Sequence, residues 1–205
     1  MTLQSTFLES ASHFTSDREL AKSLWEEVTE FYSEKGRYYH NLKHLEQMWT
    51  ELEATPLQNR DAVIFALAYH DIIYKPHRSD NEEASAELAE RRLRLLNVPP
   101  DIIAKCRNLI LSTKKHEVSD DSDTNTFTDA DLSILGSHRE NYIRYSQAIR
   151  QEYKMVPDLI YKPGRKKVLR HFLAMNRIFK TEYFHSKYEQ QARANIEWEI
   201  SQLTQ

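Results

Sequence analysis

The sequence predicts an all-α fold, read as one domain of roughly eight or nine helices, on three observations. Apolar residues recur at three- and four-residue spacing along nearly the whole chain. No convincing pair of alternating strands, internal repeat or linker interrupts that pattern. Only three glycines in 205 residues leave too few turn formers for a β-sandwich and argue against a glycine-rich phosphate loop.

The elements follow in order. Leu24, Val28 and Phe31, with Trp25 beside them, mark one buried face of a helix from Leu20 to Tyr32. Leu42, Leu45, Met48, Trp49 and Leu52 repeat the spacing. Asp61 to Tyr69 is almost continuously apolar; its alanines and polar flank favour a helix buried on most sides over a strand. Ser79-Asp80-Asn81-Glu82 has the form of a capping box, opening a helix through Ala84, Leu88, Leu93 and Leu96. Pro99-Pro100-Asp101 starts the next, with Ile102, Ile103, Leu109 and Leu111. His116 to Asn125 reads as a polar surface loop, and a helix resumes at Thr128 or Asp129 and runs to Ile149. Pro157 and Pro163-Gly164 punctuate the following stretch; Arg165 to about Lys180 and Tyr188 to Leu203 are the last helices.

Composition narrows the function classes. The 28 basic and 31 acidic residues give a net charge of −3, without the overall basic excess of many nucleic-acid binders. A single cysteine, Cys106, excludes an intrachain disulfide and a Cys-rich zinc site, and fits a reducing compartment. Met1 to Ser10 lacks the basic start and apolar run of a secretory leader, and no apolar run approaches the ~18 residues of a membrane span. The expectation is a cytoplasmic protein without a membrane partner. Nine histidines are the feature to follow.

Four places put histidine or aspartate where they could converge. His40 and His44 are four residues apart, which on a helix would place both rings on one face. His70-Asp71 ends the most apolar helix, where an imidazole and a carboxylate are costly unless paired, and a divalent metal pairs them. Asp129 and Asp131 stand at the expected helix start after Thr128, and Lys114-Lys115-His116 leads into the acidic loop. Each has a plainer reading. His40 and His44 fit a half-exposed surface pair, His70 a helix C-terminal residue favoured by the macrodipole, and Asp131 the N3 acid of a capped helix. Taken together, each beside strongly apolar sequence, they are hard to explain by caps alone.

The order His40, His70-Asp71, Asp131 resembles the H…HD…D signature of the HD superfamily of metal-dependent phosphohydrolases. The surrounding text YHNLKHLEQM, ALAYHDIIYKPHRSDNEEASA, FTDADLSILGS, PGRKKVLRHFL and EQQARANIEWEI is similar to a small bacterial family of HD phosphohydrolases named by prediction. The resemblance runs from about Phe31 to the C-terminus. It implies an HD-type helical domain over 1–205, with a core at about 31–150 and C-terminal helices at about 165–204 packed on it. It also implies one divalent metal ion held by His40, His70, Asp71 and Asp131. Mn²⁺, Mg²⁺, Fe and Zn²⁺ all accept such donors. Asp129 competes with Asp131, which matches the family pattern by following Ala130 and preceding Leu132.

Related enzymes place a proton-transferring acid after the HD pair, which makes Glu82 the candidate general acid or base beside Asp71; a helix-cap role is its plainer reading. His44 and His116 are candidates to bind phosphate or a second metal. Lys114 and Arg165 are candidate cations for an anionic substrate, Arg165 because it follows Gly164 at an expected helix start. Tyr39, Tyr69, Tyr74 and Tyr161 are candidates to line the pocket, although aromatic residues at helical spacing are more often core. The expected partner is a small phosphorylated metabolite or a nucleotide, and oligomerisation is compatible with the sequence. Two competing readings are a di-iron oxygenase, which would need His44, His77 or His116 as further ligands, and a non-catalytic module that kept the metal site.

Overall fold

The computed structural model describes residues 2–204, and every regular element among them is helical. There are ten α-helices: α1 Leu3–Ser12, α2 Arg18–Tyr32, α3 Leu42–Glu53, α4 Arg60–Tyr69, α5 Asn81–Leu95, α6 Pro100–Ser112, α7 Ser122–Leu132, α8 Arg139–Glu152, α9 Asp158–Ala174 and α10 Glu182–Gln202. A single 3₁₀ turn, Ser133–Gly136, follows α7. The contacts divide the chain into two compact units, 1–128 and 129–205, and the division falls inside α7. The sequence had placed the end of the core near 150.

In the first unit α4 is the centre. Every residue from Ala62 to Tyr69 is buried, and α1, α3, α5 and α6 pack on it. Asn59 starts α4 by accepting the Ala62 N–H. Asp123, buried on α7, accepts the N–H groups of Gln58 and Asn59 at 2.8 Å each, satisfying the turn that leads into α4. Helix α1, which the sequence pattern did not announce, buries Leu3, Phe7 and Ala11 at four-residue spacing. The Phe7 ring lies 5.4 Å from Trp25 and 5.8 Å from Phe65. In the second unit α10 packs on the 3₁₀ turn, α8 and α9. The Asn195 amide donates to the carbonyls of Leu135 and Ser137 at 2.8 Å each.

Four sequence expectations are corrected. Helix α7 starts at Ser122, not Thr128, because Asp121 accepts the Thr124 N–H at 2.8 Å and turns the end of the acidic loop into a helix start. Asp129 and Asp131 therefore stand in its last two turns, and the chain breaks after Leu132 instead of running on to Ile149. Pro163-Gly164 lies within α9 rather than before it, so Arg165 does not sit at a helix start. The capping box at Ser79 does not form: Asp80 is the N-cap without a side-chain cap bond, and its carboxylate takes the Arg78 guanidinium at 2.8 Å.

Candidate metal centre

The centre forms in the first unit where three short segments meet: the approach to α3, the end of α4 and the residues just after it. Gly36 turns the chain after α2 with a φ of +106°, a backbone region open to glycine. His40 precedes α3 and is not on it, since Asn41 is the N-cap and accepts the Lys43 N–H. His44 occupies the first turn of α3 and is buried. His70 is the C-cap of α4, its N–H donating to the Ala66 carbonyl at 2.8 Å. Helical spacing of His40 and His44 thus fails as the cause, yet their rings come within 5.9 Å.

Hydrogen-bond logic assigns the His70 tautomer. Its Nδ1 lies 3.0 Å from the Leu67 carbonyl oxygen. A carbonyl only accepts, so Nδ1 carries a hydrogen, and Nε2 is the ring nitrogen turned inward. That Nε2 is 3.1 Å from Asp71 Oδ2 and 3.2 Å from His44 Nε2. Asp71 Oδ2 is in turn 3.9 Å from Nε2 of both His40 and His44. Lone pairs this close repel unless a proton or a metal cation stands among them. A ligating histidine whose other nitrogen donates to a backbone carbonyl is the arrangement metal sites use to fix ring orientation. His44 and His70 belong to a group of donors that could hold a metal ion, and the donor chemistry fits a divalent cation.

The surroundings hold these donors in place. Tyr74 stacks on His40 with centroids 3.9 Å apart, and Tyr39 lies 5.0 Å from His40 and 4.8 Å from His44. The Arg37 guanidinium donates to the carbonyls of His40 at 3.1 Å, Asp71 at 2.7 Å and Ile72 at 2.6 Å. Its cation also faces the Tyr32 ring at 4.9 Å. The Tyr32 hydroxyl accepts the Asp71 N–H at 3.1 Å. Sequence reasoning missed Arg37 and Tyr32. The only signal was an arginine three residues before His40, and a partner 34 residues further on cannot be read from spacing.

No protein-family model, curated protein or solved structure matches the chain. The site is therefore read on its own chemistry.

The remaining candidates scatter. Glu82 is the second residue of α5 and is half-buried; burial pushes its carboxyl above the usual range and the Asp71 charge adds to the rise, while Lys114 opposes it. Lys114 Nζ is 4.0 Å from Glu82, but it also binds Glu83 and donates to the Ser79 carbonyl at 2.7 Å. His116 stands after α6 in a left-handed backbone turn with φ of +53°. Tyr69 is buried in the core beside Phe7, so it does not line a pocket.

In the second unit the half-buried Arg165 forms a bidentate pair with Glu199 at 2.8 and 3.1 Å, donates to the Tyr145 hydroxyl and faces that ring. It is thus a structural cation, its guanidinium taken up inside the unit. Tyr161 lies in that unit too, with Arg150 4.6 Å over its ring. Asp129 is ruled out as a ligand by its own bonds. Fully buried, it accepts the N–H of Lys180 at 2.9 Å, the N–H of Thr181 at 2.8 Å and the Thr181 hydroxyl at 2.9 Å. Asp131 stands on the last turn of α7, four residues beyond Phe127, a spacing that stacks both on one helix face. The Phe127 ring packs edge-on against His70 at 5.9 Å.

Proposed function

We propose that the chain is a metal-dependent phosphohydrolase of the HD type, acting on a small phosphorylated metabolite or a nucleotide. The observation that carries the reading is the convergence of the Nε2 atoms of His40, His44 and His70 on Asp71 Oδ2. His40, His70 and Asp71 would hold one divalent ion, with His44 as a further donor. When bound, the ion supplies a Lewis acid that acidifies water and draws charge from a phosphoryl oxygen.

The protein's own residues do the rest. Arg37 fixes the His40 and Asp71 segments against each other, so the donors need little reorganisation. Glu82, with its carboxyl raised by burial, would keep a proton to higher pH than an exposed glutamate and serve as the acid toward a leaving group. Lys114, beside Glu82, brings positive charge to the same edge.

The test is hydrolysis by metal-stripped protein reloaded with Mn²⁺, Mg²⁺, Fe²⁺ or Zn²⁺. The panel holds phosphomonoesters, nucleoside triphosphates and cyclic dinucleotides. Metal-dependent turnover of at least one class, abolished in Asp71→Ala with helix content kept, is the expected result. No turnover on the panel, or turnover that survives chelation and Asp71→Ala, contradicts the reading. The entry of His44 into the cluster favours one second reading, a di-iron oxygenase, for which two irons per chain after anaerobic purification would be decisive.

A further inference from the structure

The four most exposed large hydrophobic side chains among the described residues include three within one six-residue stretch: Met155 at 86%, Leu159 at 88% and Ile160 at 64% exposed. Single exposed hydrophobics are ordinary; a cluster of three on one projecting turn is not. Nor is the turn loose. Arg150 donates to the carbonyls of Tyr153 at 2.7 Å and Val156 at 3.2 Å, and to Asp158 at 2.6 Å, which holds the entry to α9 in one shape.

The charge around this tip differs from that of the chain. Residues 154–171 carry six Lys or Arg and one acid, Asp158, within a protein whose net charge is −3. The acid is neutralised by Arg150, and Arg165 is turned inward on Glu199. Of the other cations, Lys167 and Arg170 lie on the outer side of α9 and Lys166 at its margin. Helix α9 buries Tyr161 and Leu169 on one side. Its opposite side presents Leu159, Lys167 and Arg170, with Ile160 and Lys166 adjoining, by the 100° step per residue.

We infer that this basic face of α9, with Met155, Leu159 and Ile160 as its apolar tip, docks on an anionic phospholipid surface. The apolar tip enters the boundary between headgroups and acyl chains while Lys166, Lys167 and Arg170 lie against lipid phosphates. Charge complementarity selects this occupant. A second copy meeting the same face across a two-fold axis would set lysine against lysine. A nucleic acid would match the lysines but leave the three apolar side chains without a partner. No helix among the described residues is long and apolar enough to cross a membrane, so the contact is peripheral.

The experiment is co-sedimentation of the full chain with vesicles, at low and at high salt. Vesicles of phosphatidylcholine alone are compared with vesicles in which a quarter of the lipid is phosphatidylglycerol. The expected result is binding at least tenfold stronger to the anionic vesicles, weakened by salt. Two double variants, L159D with I160D and K166E with K167E, should each lose at least tenfold while their circular dichroism matches the parent. Equal or negligible binding to both vesicles overturns the proposal, as does indifference to either double variant. So does a nucleic-acid duplex retained by the same lysines without need of Leu159, or a concentration-dependent dimer that L159D dissociates.

Discussion

Arg37 does at the residue scale what a longer element would otherwise do. One guanidinium caps three carbonyls from two segments that lie more than 30 residues apart in sequence. Arg37→Met leaves those carbonyls unsatisfied and frees the His40 and Asp71 segments from each other. The expected outcome is a metal affinity lower by about 10–100-fold, read by titration calorimetry, with helix content unchanged. Glu189 gives a second prediction. Burial alone would raise its carboxyl, but the N–H groups of Phe179 and Ile178 and the Arg193 guanidinium outweigh burial and hold it below the ordinary value near 4.5. A depressed carboxylate stabilises the fold fully above the unfolded value and loses that contribution as pH falls through the folded one. Melting curves should therefore show stability falling from about pH 4.5 downward, and Glu189→Gln should flatten part of that fall.

At the scale of elements, α7 carries most of the lesson. Asp123 and Asp129 each accept two successive backbone N–H groups, and Glu189 on α10 does the same at residues 178 and 179. From sequence Asp129 looks like a candidate ligand, because the groups it satisfies are more than fifty residues away. Helix α4 was legible because eight successive buried residues leave no polar face to misread. Helix α1 was not, since Ser5, Thr6 and Ser10 break up its short apolar pattern, and Thr2 supplies its cap. Pro163 misled in the opposite way: it removes one hydrogen bond near the start of α9, while packing of Tyr161 and Leu169 keeps the helix going. The candidate donors are named in the sequence only by residue type and order. The entry of His44, and the position of His40 ahead of α3, depended on a turn at Gly36 that spacing does not reveal. Packing of the 3₁₀ turn on α10 depends on Gly136, where an added Cβ would lie 2.5 Å from Tyr188 Cβ and 2.6 Å from its carbonyl oxygen. Backbone cannot yield cheaply there. Gly136→Ala should cost about 1–3 kcal/mol in denaturant unfolding.

For the whole molecule, the all-helical expectation holds, with ten α-helices among the described residues against the eight or nine the sequence predicts. The apolar faces of those helices should carry most of the stability, so removing the candidate metal centre is expected to leave the fold intact. That separation makes the central claim testable by elemental analysis of protein purified without a metal-affinity column and dialysed against metal-free buffer. The account predicts about one divalent ion per chain in the parent and less than a tenth of that in His70→Ala, with the circular dichroism of the two superimposable. Metal content that is negligible in the parent, or undiminished in His70→Ala, would contradict it.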